Sequence, residues 1–512
     1  MCHRHAKHDF ASFGGCGSDL SAGDSIIFMA VDYDLVIIGS SYEGIYAAKT
    51  AARLQARVAL VTQGDTYLPN DVLVNHSIGE IGQLNHQLRN NPFATASEIK
   101  LPYVSCSEAS DWAKGVDLAV QTSNSLSSLA ALGVDVIVGK GEFCRLPQLA
   151  FNIANRRLRS RNFLLATGAN FVPHLNSNES NYLTLRKLWH QDLSDLRQQI
   201  IIIGSDPTAL ELAQTLARFE KQVTLVVRQP RILPQEDPDV AMLVQAELEA
   251  EEIKIYTNSP VSQLKAIEDQ KWLQAGDRAL STDEIIIADY RQPNITGLNL
   301  AGVDVKYDEE RVYVNQRLQT SNPNIYACGD LIGGYCLPNI AQYEVNIILK
   351  NTLFLPWYKT NYYCLPWAVL TQPNLARVGL TQRQAKQQFG ENIYVIKQYL
   401  NNLTQAQILD RTTGVCKLIV RENGEILGCS LVSDRAAELI TIIALMIQHK
   451  INLDPNPMRG LTSLSIPTIY PAMVEILQQC CHNFYQQKLQ RNSKLLNRLK
   501  TWFSLQRSWY RK

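Results

Sequence analysis

The sequence predicts an α/β protein built from two doubly wound parallel sheets, followed by a C-terminal α+β domain. Two observations predict the sheets. A strand, a glycine turn, a helix and a second strand follow one another twice, once from Leu35 and again from Ile200. Around both units short apolar runs alternate with helical stretches, the pattern of a parallel sheet covered by helices. A third observation predicts the last domain. From Tyr362 the pattern changes to successive strands, such as Cys416 to Val420 and Ile426 to Val432, with helices at about 435–449 and 472–490.

The first unit runs Leu35-Val36-Ile37-Ile38-Gly39-Ser40-Ser41-Tyr42-Glu43-Gly44, then a helical stretch Ile45 to Leu54 and the apolar run Val58 to Val61. The second runs Ile200 to Ile203, Gly204-Ser205-Asp206-Pro207-Thr208-Ala209, the helical stretch Leu210 to Phe219, then Val223 to Val227. A buried strand, a tight glycine turn and a small-residue helix make the Rossmann geometry, which sets backbone N–H groups and a helix N-terminus against a pyrophosphate. Two such units imply two dinucleotides. Between them the pattern predicts a helix from Leu118 to Leu132 leading to Val134–Val138, and a strand from Asn162 that ends in the small-residue turn Thr167-Gly168. Leu318 to Asp330 reads as a strand closing on an Asp.

With 512 residues, 46% hydrophobic and 19% charged, the chain can bury several cores in three or four domains. A net charge of +1 gives no global attraction to nucleic acid. The apolar runs are too short to span a bilayer and the first residues lack a secretory pattern, which predicts a cytoplasmic protein. The 11 cysteines are scattered, as reduced buried thiols are. Cys2, His3, His5, His8 and Cys16 have a metal-binding composition, but their spacing fits no standard zinc module and no metal is expected. Met29 stands just before the first strand, so residues 1–30 read as a disordered or misassigned leader.

Further motifs stand in a fixed order with these units: Arg291-Gln292-Pro293-Asn294, Pro366-Trp367-Ala368, and Thr371-Gln372-Pro373-Asn374-Leu375-Ala376-Arg377-Val378-Gly379. Over about 31–480 the ensemble resembles the class I pyridine nucleotide-disulfide oxidoreductases, relatives of dihydrolipoamide dehydrogenase, glutathione reductase and mercuric reductase. The resemblance implies FAD and NAD(P)H as cofactors and a homodimer. It implies an FAD-binding domain over 31–185 and 286–350, an NAD(P)-binding domain over 195–285 and a dimerisation domain over 360–485.

At the FAD turn Gly39 and Gly44 are kept and Ser41 takes the middle position, where a small side chain still leaves room for the pyrophosphate. Thr62 occupies the strand end at which an Asp or Glu usually holds the ribose, and it hydrogen-bonds without the charge, which predicts weaker anchoring. Thr167 and Gly168 belong to the same site. Asp330 matches the Asp that bonds the ribitol chain beside the flavin.

At the second turn Gly204 is kept and Asp206 replaces the glycine nearest the pyrophosphate. Asp206-Pro207 is a good helix start, so the carboxylate is expected to satisfy the N–H groups a pyrophosphate would use. Glu211 matches the family's glutamate near the nicotinamide. Val227 stands where NAD-selecting relatives carry Glu, and Arg228 and Arg231 follow; an Arg there pairs with a 2′-phosphate and favours NADPH, or else is a solvated surface charge. Tyr290 falls where relatives have glycine, either beside the nucleotide or between domains. Tyr470 stands in the place of the family's proton-carrying His, as it does in mercuric reductases, and Glu475 is its retained partner.

In the family a pair of cysteines follows the first unit, whereas Thr62 to Lys100 contains none. Thiol–disulfide exchange needs an attacking and a resolving thiol. Cys480-Cys481, within a helical pattern, reads as structural. The expected function is therefore an FAD-dependent NAD(P)H oxidoreductase that passes electrons from flavin directly to a small non-disulfide acceptor such as a quinone. A flavin-mediated pyridine nucleotide transhydrogenase and a non-enzymatic structural or sensory dimer are the alternatives. Residues 486–512 read as a basic amphipathic helix with Leu495, Leu499, Trp502, Gln506 and Trp509 on one face, either peripheral on an anionic membrane or packed on the dimer.

Overall fold

The computed structural model describes residues 31–63, 71–90, 103–122, 124–172, 182–191, 193–267, 270–334, 336–453 and 469–509. The leader at 1–30 lies outside them. The first sheet is parallel throughout, in the order Ile325–Ala327, Ser160–Leu165, Tyr33–Ile38, Val58–Thr62, Asp135–Val138. Its central strand is apolar from Leu35 onward, where both faces are covered, and Leu35, Val36 and Ile37 are fully buried. Helix α1 (Tyr42–Arg53) lies on it through Ala47, Ala48, Ala51 and Ala52, side chains small enough for close approach.

Helices α2 (Asp71–Arg89) and α3 (Cys106–Thr122) continue the first segment of chain yet pack into the core of the second sheet, through Val74, Ile78, Ala109 and Ala113. The helix expected over Leu118–Leu132 is different: α3 begins at Cys106, and a separate α4 (Leu126–Ala131) follows. The break has a local cause, since the Ser125 Oγ accepts from Ser128 N at 3.2 Å and starts a new helix.

The second sheet is also parallel, in the order Lys254–Tyr256, Gln222–Val226, Gln199–Ile203, Glu284–Ile287, Leu183–Thr184. Helices α5 (Leu185–His190), α6 (Pro207–Arg218) and α7 (Pro238–Ala250) belong to this part of the chain. The chain then returns to the first sheet. Leu318–Asp330 is not one strand. Leu318 has φ 63°, Gln319 bridges back to Tyr326, and the strand proper is Ile325–Ala327, because the Asn322-Pro323 turn folds the segment on itself. Helix α8 (Pro338–Leu349) completes this part.

The C-terminal sheet is antiparallel, in the order Trp367–Val369, Asn374–Gly379, Ile426–Ser433, Val415–Arg421, Ile393–Tyr399. With it stand α9 (Gln382–Phe389), α10 (Thr404–Ile408), α11 (Ala436–Gln448) and α12 (Glu475–Arg491). Its buried Lys417 pairs with Asp237 at 3.0 Å and Asp239 at 2.7 Å, at the start of α7. The basic segment is not one helix from 486. α12 runs to Arg491, Asn492 leaves the helical conformation at φ −109°, ψ 85°, and α13 (Ser493–Trp509) begins after it. No helix among the described residues is long and apolar enough to cross a membrane.

Candidate functional site

At the first turn the backbone dictates the residues. Gly39 has φ +109°, and a Cβ there would strike the Ala166 carbonyl oxygen; one on Gly44 would strike the Gly39 carbonyl. Ser41 is the N-cap of α1, where its Oγ accepts from Gly44 N at 3.4 Å and donates to the Ala166 carbonyl at 2.7 Å. The middle position thus ties the turn to the end of the Ser160–Leu165 strand. Thr62 is buried, with its Oγ1 2.7 Å from the Ser40 Oγ. Gly168 has φ +66°, and Asn294 fastens this turn by donating from Nδ2 to the Thr167 carbonyl at 3.1 Å and from its backbone to the Gly168 carbonyl at 3.0 Å. Among the described residues the buried Thr167 Oγ1 has no hydrogen-bond partner.

Asp330 lies in a single turn of 3₁₀ helix and accepts from Arg291 Nη1 at 2.7 Å. Arg291 also lies over the Phe171 ring, 4.5 Å from its centroid. Beneath Asp330 are two buried carboxyls. Burial, helped by the charge of Asp330, pushes Glu43 up to about 7. Glu344 is pushed up to about 7 by burial, and it accepts from Gly329 N and from the Tyr362 hydroxyl, both at 2.8 Å. A Cβ on Gly329 would fall 2.6 Å from Glu43 Oε1, so this glycine lets the two chains close up.

At the second turn Gly204 has φ +153°, with the Ala288 carbonyl where its Cβ would be. Asp206 holds the N-cap position of α6, with Pro207 next, but its side chain makes no cap hydrogen bond. This corrects the expectation that it satisfies the helix N–H groups. Its surroundings are instead Arg291, Asp289 and Asp330, and burial raises its carboxyl above the ordinary range against the pull of Arg291. The Ser205 Oγ donates to Gln229 at 3.1 Å.

One turn into α6, Glu211 accepts from Leu370 N at 2.7 Å and from Asn75 Nδ2 at 3.3 Å, and burial pushes it up to about 7. Asn75 comes from α2. That helix reaches α6 because Gly79 and Gly82 leave room for Thr215 and Phe219. Arg228 is exposed just past the Gln222–Val226 strand, while Arg231 Nη2 donates to the Pro234 carbonyl at 3.0 Å. The Tyr290 hydroxyl donates to the Glu309 carbonyl at 3.3 Å, a bond within the returning part of the first domain.

Tyr470 is 68% exposed and its hydroxyl donates to Thr404 Oγ1 at 3.2 Å, within the C-terminal domain. Glu475 opens α12, and its buried Oε2 has no hydrogen-bond partner among the described residues. Neither residue hydrogen-bonds to a glycine turn among the described residues. Sequence reasoning missed Asn75, Glu43 and Cys336, and it quoted Arg291 without a role. Cys336 lies near Arg291, Asp330 and Asp206, and burial pushes its thiol up to about 12, far from a thiolate at neutral pH. All nine described cysteines are free, and Cys480 and Cys481 are buried in the C-terminal core.

Residues 33–346 match the model of the pyridine nucleotide-disulphide oxidoreductase domain, and residues 365–475 that of the family's dimerisation domain. The chain belongs to the pyridine nucleotide-disulphide oxidoreductase family. Its mercuric reductase relative from Staphylococcus aureus is 28% identical over 434 residues, 83% of this chain and 78% of that protein. A dihydrolipoyl dehydrogenase of Bacillus subtilis (strain 168) is 27% identical over 443 residues, 82% of this chain and 93% of that protein. In fold the chain is similar to the HOCl-induced flavoprotein disulfide reductase RclA from Escherichia coli, with TM-score 0.72 at 24% identity over 87% of this chain and 99% of that one. LpdA from Mycobacterium tuberculosis gives 0.76 at 22% identity over 88% of this chain and 99% of that one.

Members of this family use FAD and NAD(P)H, and the dimerisation domain supports a homodimer. The first turn fits FAD on its own observations: a glycine cradle that a Cβ would fill, the unpartnered Thr167 hydroxyl and an Asp330 carboxylate oriented by Arg291.

Proposed function

We propose that this family member is an FAD-dependent NAD(P)H oxidoreductase that delivers electrons from flavin directly to a small non-disulfide acceptor such as a quinone. The observation that carries the reading is the absence of any cysteine between Thr62 and Lys100, the stretch in which the family's dithiol stands. Two further observations support it. Cys336, the thiol near Asp330 and Arg291, is held in the neutral form. Cys480 and Cys481 lie in a packed core.

When bound, FAD supplies hydride acceptance and electron transfer. The chain supplies position and protons. In this reading Gly39, Ser41, Gly44, Thr62, Thr167 and Gly168 hold the dinucleotide, and Asp330, kept in place by Arg291, orients its ribitol. Gly204 and Arg228 receive the pyridine nucleotide, with Arg228 favouring a 2′-phosphate. Leu370 N bonds Glu211 Oε1 and Asn75 Nδ2 bonds its Oε2, and a carboxyl so held and titrating near neutral pH can hold or release a proton. Tyr470 and Glu475 serve the acceptor side from across the dimer. The basic C-terminal helix brings the enzyme to an anionic membrane, where a lipid-soluble acceptor would be found.

The test is anaerobic reduction by NADPH followed by reoxidation with menadione, beside assays with lipoamide, glutathione disulfide and mercuric ion. Quinone turnover with negligible disulfide and mercuric activity is expected. Turnover with either of the latter at the rate typical of a reductase would overturn the reading. Reoxidation by thio-NADP⁺ alone would favour the transhydrogenase, and protein that takes up no flavin would favour a structural or sensory dimer.

A further inference from the structure

We infer that α13 is a membrane-interface helix whose partner is an anionic phospholipid surface, met with the Trp502, Leu505 and Trp509 side. This rests on the reading above only for its usefulness to the enzyme; the surface of α13 is independent of the redox chemistry. Trp502 is 42% exposed, Phe503 52%, Leu505 48% and Trp509 64%. Four large apolar side chains on one helix are more than solvent exposure normally tolerates without a partner. Trp502 and Trp509, two turns apart, meet edge to face at 6.1 Å, so they form one ridge.

Charge decides what covers that ridge. Between Ile476 and Lys512 there is no Asp or Glu. Lys488 and Arg491 are engaged with the body, donating to the Glu422 and Ile393 carbonyls. Lys494, Arg498, Lys500 and Arg507 are exposed on α13 itself. On a helix that turns about 100° per residue, Lys494 falls at one edge of the apolar arc beside Leu505, Lys500 and Arg507 fall at the other, Arg498 lies within the arc between Leu505 and Trp509, and Ser493, Asn497, Ser504 and Ser508 are opposite it. Basic residues flanking an aromatic arc let the rings enter the acyl boundary while the long side chains reach the phosphates. A second copy of α13 fits poorly, since pairing the same faces would bring cations against cations with no acid to answer them.

The experiment is co-sedimentation of the full-length flavoprotein with vesicles of phosphatidylglycerol and phosphatidylcholine, or of phosphatidylcholine alone. Three variants are compared with it: a chain ending at Asn492, the pair Trp502→Ser and Trp509→Ser, and the single change Lys500→Gln. Binding to the anionic vesicles, loss on truncation, loss in the double Trp variant and a drop of about fivefold for the single charge are expected. Binding should also fall as salt is raised. Equal sedimentation of the full and truncated chains, or equal binding to neutral vesicles, would overturn the proposal. So would a dimer that dissociates on truncation without any vesicle binding, since that would make α13 part of the subunit contact. Quinone turnover in solution is read separately, and its presence or absence leaves the vesicle result intact.

Discussion

At the first glycine turn φ of Gly39 is +109° and at the second φ of Gly204 is +153°, and in each a Cβ would meet a carbonyl oxygen, of Ala166 in one case and of Ala288 in the other. The backbones are alike and the side chains at the middle position are not. Ser41 satisfies its hydroxyl on both sides, with Gly44 N and the Ala166 carbonyl. Asp206 makes no cap bond and keeps a half-buried carboxyl among Asp289, Asp330 and a single guanidinium, that of Arg291. A Rossmann turn therefore preserves its shape under replacement of the middle glycine, while its charge toward a phosphate is set by one side chain.

The largest expected difference lies in the glycines. Gly39→Ala should leave protein without retained flavin, whereas Gly204→Ala should remain yellow and lose bleaching by NADPH; flavin release on denaturation and anaerobic absorbance read both. A colourless Gly204→Ala protein would show that the turns are not separable. Next is Glu43→Gln. Because the folded carboxyl titrates near 7 rather than near its ordinary 4.5, its contribution to stability is full below 4.5 and is lost as pH rises through 7. The variant should therefore escape a loss on the order of 3 kcal/mol between pH 4.5 and 8. Denaturant melts of the apoprotein at the two pH values, parallel to wild type in slope against pH, would dismiss this account.

A smaller effect is expected from Asp206→Gly, which removes the carboxyl from the middle position of the second turn. NADPH should bind about tenfold tighter at pH 8, the factor given by about 1.4 kcal/mol of relieved repulsion. The gain should shrink as pH falls, because the raised carboxyl becomes neutral there. A gain independent of pH would point to a steric cause. Smallest is Arg228→Ala, which should lower the preference for NADPH over NADH by roughly threefold, the scale of an exposed ion pair. Stopped-flow bleaching with each nucleotide reads the ratio, and an unchanged ratio would leave Arg228 a surface charge.

The two βαβ units were legible because their signals are local: an apolar strand, a glycine whose φ is positive and a small-residue helix within about 30 residues. The family followed from their order with Arg291 and Asp330. What stayed hidden depends on residues far apart in the chain. Helix α3 turns Ala109, Ser110, Ala113 and Asp117 inward, a face too weakly apolar to show in periodicity. The side chain of Asp206 had a plausible local use as a cap, and only the approach of Arg291 from the returning chain gives it another setting. Asn75 reaches Glu211 because Gly79 and Gly82 admit α6, which no pattern in α2 announces.

The pairing of Lys417 with Asp237 and Asp239 bears on modular engineering. Lys417 is buried in the C-terminal sheet, and both acids belong to the nucleotide domain at the start of α7. Transplanting a relative's nucleotide domain into this chain, an obvious route to a new coenzyme preference, would strand that ammonium unless the graft carries both acids or the host lysine is exchanged as well. An unpaired buried charge costs about 3–5 kcal/mol, so a successful chimera should treat these three positions as one inherited unit.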